Sequence, residues 1–292
     1  MDRQPLVQWS AELVLDARAA LGEGPLWDAA RGELLWVDIM AGLVHRFDPE
    51  SGTDRSYDVG QPVGAIVPRA AGGHVLALRD GFALWDGDST TLVAPVEPSR
   101  REIRMNDGAC DSRGRFWAGT MHVDYRRGEG ALYRLDESHT AEVILSGVTI
   151  SNGIAWSPDD TTMYYVDTPT QAIDAFDFDA ATGAISDRRR LVKIDPEAGQ
   201  PDGLVVDAEG CIWVALWDGW AVRRYDPEGK HLGTVAVPVA RVTKPAFGGP
   251  DLADLFITTA APEKANPSQP YAGGVFHTRP GVQGLAANAY TG

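Results

Sequence analysis

The sequence has 292 residues with 41 acidic and 26 basic side chains, which gives a formal net charge of −15 at pH 7. Its densest basic run, Arg188–Arg190, is too short to follow a phosphate backbone, so nucleic acid is excluded as an expected partner and the run is interpreted as a solvated sheet edge. The acidic surface favours local accumulation of cations, which suits a metal-binding protein without establishing one.

The amino-terminal residues Met1–Pro5 are not followed by the apolar core of a signal peptide. The sequence also contains no uncharged run approaching the roughly 20 residues of a membrane span. We therefore expect a cytoplasmic protein with no membrane partner.

A hairpin pattern recurs along the chain after a strand-like segment at Val7–Asp16. Its fullest form is an apolar run ending in Asp, Pro201–Asp207, then a short turn with Gly and a second apolar run, Cys211–Trp217. The copies begin at Glu23, Val63, Asn106, Asn152, Asp202 and Lys244, and those at Val63 and Lys244 are weaker. Successive copies are about 40 to 50 residues apart.

Short strands repeated at this interval are typical of four-stranded propeller blades. Six copies predict an all-β fold, namely a six-bladed β-propeller with four antiparallel strands per blade, forming a single domain over residues 1–292. We expect Val7–Asp16 to pair into the last blade, because this closes the ring and removes an exposed sheet edge.

The remaining strands of each blade are predicted from alternating apolar and charged residues. Third strands are expected at Leu43–Pro49, Ala131–Asp136, Ile173–Asp177 and Ala221–Pro227, and fourth strands at Val143–Leu145, Leu191–Ile194 and Thr234–Val237. A long loop is expected at Lys264–Gln269. Cys110 and Cys211 belong to copies that are not neighbours, so both are expected to be core residues and not a disulfide.

The first position of four copies carries a side chain with a carbonyl or carboxylate oxygen: Glu23, Asn106, Asn152 and Asp202. If each first strand lines the central channel, these oxygens converge on one mouth, where burial is costly without a cation. The alternative is that they cap turns, as Asn-Gly and Asp-Gly pairs commonly do. Their shared register favours a metal site, and we predict Glu23, Asn152 and Asp202 as ligands with waters completing the shell.

The predicted ligands include no His or Cys, which favours calcium, magnesium or manganese over structural zinc, although the identity of this single divalent metal is left open and includes zinc and iron. The second strands return to the same mouth and bring Gly119–Asp124 there. Arg104, Asn106 and Asp124 are therefore predicted to bind a polyhydroxylated ligand, although each could instead be a surface residue. His122 is expected to be a pocket wall.

Several ordered motifs resemble the senescence-marker-protein, regucalcin and gluconolactonase family over nearly the whole chain. They are Ala20–Trp27, Arg104–Gly108, Gly114–Met121, Ser151–Ser157 and Pro201–Gly203. The resemblance implies a six-bladed propeller in which one divalent metal, held by Glu23, Asn152 and Asp202, supports hydrolysis of sugar lactones. It also implies that Asp202 is the acid/base residue and that Arg104, Asn106 and Asp124 hold the sugar hydroxyls. Animal relatives often have Glu where this chain has the shorter Asp124.

The predicted function is metal-assisted hydrolysis of an aldono-1,4- or 1,5-lactone to the aldonic acid in carbohydrate catabolism. The base could be Asp202 or a hydroxide on the metal, and the sequence does not decide between them. The alternatives are a propeller esterase or phosphotriesterase, and a calcium-binding regulatory protein without turnover. The expected partner is a small-molecule sugar lactone. A monomer is expected, although the sequence leaves the oligomeric state and the particular lactone open.

Overall fold

The computed structural model describes residues 6–264 and 266–292. Two strands, β1 (Val7–Ser10) and β2 (Glu12–Leu15), precede the first blade. Blade one contains β3 (Gly22–Asp28), β4 (Glu33–Asp38), β5 (Leu43–Asp48) and β6 (Thr53–Asp58). Blade two contains β7 (Val63–Pro68), β8 (His74–Leu78), β9 (Gly81–Trp85) and β10 (Thr90–Pro95). Blade three contains β11 (Ile103–Cys110), β12 (Phe116–His122), β13 (Gly130–Leu135) and β14 (Ala141–Val148).

The second half of the ring repeats this arrangement. Blade four contains β15 (Ser151–Trp156), β16 (Thr162–Asp167), β17 (Ala172–Asp179) and β18 (Ala184–Lys193). Blade five contains β19 (Gln200–Val206), β20 (Ile212–Trp217), β21 (Ala221–Tyr225) and β22 (His231–Ala236). Blade six contains β23 (Val242–Gly248), β24 (Asp254–Thr259) and β25 (Val275–Thr278). The described helices are two 3₁₀ turns, Thr168–Thr170 and Pro196–Ala198. The predicted six-bladed β-propeller is confirmed.

The amino-terminal segment closes the ring, but as two strands and not as one. β2 pairs antiparallel with β25 and gives blade six its fourth strand. β1 instead pairs parallel with β22, so blade five has five strands. The chain changes blades at buried Ala11, whose N–H donates to the Ala236 carbonyl at 2.9 Å. Blade five therefore carries one additional parallel strand beside the four antiparallel strands that were predicted for every blade.

Buried aspartates fasten the first hairpin turn of two blades. Asp207 Oδ1 accepts from the Cys211 N–H at 2.9 Å, and Oδ2 accepts from Trp213 Nε1 at 2.8 Å and from Arg224. Asp111 makes the corresponding contacts with the Arg115 N–H and Trp117 Nε1. An apolar run ending in Asp therefore marks the turn, because the carboxylate satisfies donors that the ladder leaves free.

Aromatic side chains on the strands fill the space between blades. Trp36, Trp117 and Trp213 are fully buried. Trp213 of blade five packs edge-on against Phe247 of blade six at 5.8 Å between ring centroids. Trp217 is only partly buried, and the Arg241 guanidinium lies 5.0 Å from its ring centroid.

Neighbouring inner strands approach each other closely at the level where each repeat begins. A Cβ placed on Gly153 would lie 2.6 Å from the Leu204 nitrogen, and one on Gly203 would lie 2.5 Å from Lys244 Cβ. A side chain at either glycine would force the blades apart. The residue before each glycine is consequently held close to the channel axis, and the pairing register is also interrupted here in each inner strand.

The remaining expectations concern the cysteines, a loop and the chain ends. Cys110 and Cys211 are free and buried. The predicted loop Lys264–Gln269 falls in the non-strand stretch between β24 and β25, with Ala265 outside the described residues, as are Met1–Pro5. None of the helical segments in the described ranges has the length or apolar character needed to cross a membrane.

Candidate active site

Four buried polar residues lie at the equivalent level of four inner strands. Glu23 (β3), Asn106 (β11), Asn152 (β15) and Asp202 (β19) are exposed by only 3 to 6%. Blades one, three, four and five therefore each direct an oxygen-bearing side chain to the same mouth of the channel. Burial of such groups is costly unless each oxygen has a partner, so their contacts indicate which of them could bind a ligand.

Asn152 has one satisfied and one unsatisfied end. Its Nδ2 donates to Thr168 Oγ1 at 3.0 Å, and the Thr168 hydroxyl donates to the Pro201 carbonyl at 2.9 Å. The Thr168 hydroxyl donates its only proton to the Pro201 carbonyl, so it can only accept a hydrogen bond from Asn152. This fixes the orientation of the Asn152 amide. Asn152 Oδ1 is buried and has no hydrogen-bond partner. A buried amide oxygen in this state has the chemistry needed to bind a hard cation.

Glu23 and Asp202 supply two buried carboxylates. Burial and then the neighbouring Asp107 carboxylate raise the pKa of Glu23 to about 8, against the opposing charge of Lys244. Burial also raises the pKa of Asp202 well above its usual value, with further contributions from Glu23 and Asp107. The shared cause is negative charge held away from water without enough positive charge beside it. Glu23, Asn152 and Asp202 therefore fit a divalent cation bound through oxygen.

Asn106 differs from Asn152 because both ends of its amide are engaged. Its Oδ1 accepts from Arg104 Nη1 at 2.7 Å, and its Nδ2 donates to the Ser151 carbonyl at 2.8 Å. Burial lowers the pKa of Arg104 to about 10, while Tyr125, Glu23 and Asp202 act in the opposite direction. Arg104 and Asn106 thus form one rigid polar unit beside the carboxylates, with guanidinium N–H groups left to contact a ligand.

Asp124, the third predicted substrate residue, lies apart from this unit. It is exposed in the loop after β12, and among the described residues its side chain has no hydrogen bond to Arg104 or Asn106. Its backbone N–H donates to Nδ1 of His122 at 3.0 Å, which assigns the ring proton of a neutral His122 to Nε2. His122 is 1% exposed and supports the loop from below.

An ion pair that the sequence analysis did not identify lies next to these residues. Lys244 Nζ on β23 binds Asp107 Oδ1 on β11, and both side chains are buried. Asp107 occupies the position that is glycine in the first, fourth and fifth copies, namely Gly24, Gly153 and Gly203. Two features of the sequence could have indicated this ion pair. They are the Asp in place of this glycine in the third copy and the Lys at the first position of the sixth copy.

A second acidic cluster lies away from the channel mouth and is already paired with an arginine. Asp207, Glu209 and Cys211 offer ligand atoms within 4.8 Å of one another. However, Arg224 binds both carboxylates, at 2.7 Å from Asp207 Oδ2 and 2.6 Å from Glu209 Oε2. We therefore assign this cluster to the hairpin turn described above.

A six-bladed propeller with buried oxygen-bearing side chains at one channel mouth defines a class of central-site propeller proteins, and sequence comparison identifies the family. Residues 21–261 match the family described as the SMP-30/Gluconolactonase/LRE-like region. The chain belongs to this family, as the motifs indicated.

Individual relatives cover almost the whole chain. The chain is 39% identical to regucalcin of Xenopus laevis, over 96% of this chain and 98% of the relative. It is 39% identical to a Bacillus subtilis protein with the provisional name sugar lactone lactonase YvrE, over 91% of this chain and 93% of the relative. The crystal structure of a calcium-binding protein, regucalcin, from Agrobacterium tumefaciens superposes with a TM-score of 0.92 at 30% identity, covering 97% of this chain and 98% of that chain. These relatives support a lactonase-type propeller function.

Proposed function

We propose that this protein hydrolyses sugar lactones to aldonic acids with one divalent metal ion held by Glu23, Asn152 and Asp202. The observation that carries the proposal is Asn152 Oδ1, a buried oxygen without a partner. Thr168 holds the nitrogen end of this amide, and the Asn152 side chain also hydrogen-bonds Asp202. The names of the relatives add that one binds calcium and another is provisionally a sugar lactone lactonase.

The bound cation would polarise the lactone carbonyl and stabilise negative charge on its oxygen. Asp202 takes a proton from the attacking water as the water oxygen bonds to the carbonyl carbon. The bond from that carbon to the ring oxygen then breaks, and Asp202 returns the proton to the departing oxygen. The products are one carboxylic acid and one new hydroxyl group, so no further reactant is needed.

Arg104 and Asn106 orient the sugar in this proposal. The Arg104 guanidinium has N–H groups beyond those bound to Asn106 Oδ1 and the Met105 carbonyl, and these can donate to sugar hydroxyls. Asp124 is exposed and lies at the rim. We therefore assign it the hydroxyl farthest from the lactone carbonyl, where a longer Glu would reach further into the pocket.

The test is proton release from a panel of five- and six-carbon aldonolactones, before and after chelation and with single metals restored. Selective hydrolysis that is lost on chelation and recovered with one ion is the expected result. Asp202→Asn keeps the size of the side chain but removes the base, so kcat should fall by at least about 10²-fold. Asp195→Asn changes an exposed carboxylate and serves as the control.

Failure to hydrolyse any lactone with any metal would overturn the proposal. The same preparations would then be tested for calcium binding alone and against aryl esters and phosphotriesters. These assays separate the regulatory function from other hydrolase activities.

A further inference from the structure

The Lys244–Asp107 ion pair joins two inner strands next to the proposed metal ligands, since a Cβ on Gly203, the neighbour of Asp202, would lie 2.5 Å from Lys244 Cβ. Blades three and six, which carry Asp107 and Lys244, face each other across a ring of six. The Lys244 side chain is 8% exposed and that of Asp107 is fully buried. The pair is therefore buried in the channel and is not a surface contact. Removing either partner would leave an uncompensated buried charge.

Both charges act on the proposed ligands. Asp107 raises and Lys244 lowers the pKa of Glu23, and the same two effects apply to Asp202. Asp107 therefore adds a third negative charge at the centre, and Lys244 offsets it. A divalent ion bound by Glu23 and Asp202 would be attracted by the Asp107 carboxylate and repelled by the Lys244 ammonium.

Asp107 has spare capacity to bind a cation. Its Oδ1 accepts from Lys244 and from the Gly108 N–H, whereas Oδ2 is buried without a hydrogen-bond partner. An unpartnered carboxylate oxygen near two other carboxylates would suit a second metal ion. The Lys244 ammonium already supplies positive charge to that carboxylate.

Lys244 also marks the inner end of a separate cavity. A cavity of about 1060 Å³ occupies the opposite half of the channel and is lined by the far ends of the inner strands, including Leu26, Val205 and Ala246. Gly24, Gly108 and Lys244 also line it. The ion pair thus lies between this cavity and the proposed metal centre.

We propose that Lys244 is a built-in counter-cation that lowers the affinity of the centre for divalent ions and limits it to one. The inference rests on the proposed function only through the metal site, not through the lactone. Lys244 acts through its own charge and through its ion pair with Asp107, so it is a positioning residue and not a catalytic one.

Isothermal titration of the full-length chain with CaCl₂ and with MnCl₂ tests this directly. Lys244→Met should bind about tenfold more tightly, or take up two ions per chain, because a repelling charge is gone and Asp107 is released. Asp107→Asn should bind about tenfold more weakly. The double variant, which removes both charges, should lie near the wild type.

Lys193→Met is the matched control, because Lys193 is exposed on the outer strand β18 and its loss changes only the net charge. Lys244→Met that binds no more tightly than Lys193→Met, with one ion, would overturn the inference. If Lys244→Met does not fold, Asp107→Asn decides, since wild-type affinity in that variant also overturns it. Absence of divalent binding in the wild type would instead refute the proposed metal site itself.

Discussion

A single hydroxyl fixes the orientation of the Asn152 amide. An amide side chain can present oxygen or nitrogen, and only oxygen can bind a metal ion. Thr168 Oγ1 accepts from Asn152 Nδ2 and donates to the Pro201 carbonyl, which precedes Asp202. One residue thus orients the proposed ligand of blade four against the strand that carries the proposed ligand of blade five.

Thr168→Val should weaken divalent binding by about 10- to 100-fold, because a methyl group cannot accept from Asn152 and the amide is free to turn. Thr168→Ser keeps the hydroxyl and should bind within about threefold of the wild type. Calorimetric titration of both variants measures this, and thermal unfolding in the absence of metal reports any general loss of stability. Equal affinities for the valine and serine variants would show that Thr168 does not position the ligand.

Residues of the site differ in how far the sequence could reveal them. Glu23, Asn152 and Asp202 share a register across repeats, so their convergence was predictable, and their role as ligands stays a prediction. The Lys244–Asp107 contact joins residues 137 positions apart and depends on two opposite blades. Repeat analysis compares the first positions of the copies. Asp107 is the second residue of its copy, so this comparison does not include it.

At the scale of the elements, the interface between blades one and two buries a histidine next to positive charge. His74 on β8 is 5% exposed and lies 5.6 Å from the Trp85 ring. Burial, followed by the Arg46 charge from blade one, lowers the pKa of His74 to about 4; Arg31 acts in the same direction and Asp28 opposes it. The folded protein therefore holds His74 neutral at a pH where the unfolded chain would protonate it.

This arrangement predicts a loss of stability at acidic pH. Below about pH 6.5 the unfolded chain binds a proton that the folded chain does not, so the free energy of unfolding falls as the pH falls, until folded His74 also protonates near pH 4. The contribution is about 2 kcal/mol between pH 7.5 and pH 5 and is absent above pH 7.5. Chemical unfolding at both pH values measures it.

His74→Gln removes the titrating group and should flatten this part of the pH dependence. The difference in free energy of unfolding between wild type and variant should therefore change by about 2 kcal/mol from pH 7.5 to pH 5. A difference that is the same at both pH values would show that His74 does not carry the acid sensitivity.

The sequence predicted the strands of the repeats more accurately than the amino-terminal segment, which does not belong to a repeat. The third strand Leu43–Asp48 begins where it was expected and ends within one residue of its predicted boundary. Val7–Asp16, however, has no second copy in the chain with which its strand boundaries could be compared. Its break at Ala11 depends on contacts with blade five, which include Trp9 against Trp213 at 5.4 Å, and local composition does not encode them.

At the scale of the whole molecule, the amino-terminal strands make different contributions to the ring. β1 adds a parallel fifth strand to a blade that is complete without it. β2 supplies the fourth strand of blade six and covers the edge of β25. Blade six is therefore the only described blade that needs a segment from outside its own repeat, so β2 holds the two ends of the ring together.

Two truncations separate these contributions. Removal of residues 1–10 takes away β1 and the Trp9 contact, so the ring should stay closed and lose about 2 kcal/mol of stability. Removal of residues 1–16 also takes away β2 and exposes the β25 edge, so the chain should aggregate or unfold. Size-exclusion chromatography and circular dichroism of both chains, beside the intact protein, report the outcome. If the shorter chain elutes and melts like the longer one, ring closure by β2 is not what stabilises the propeller.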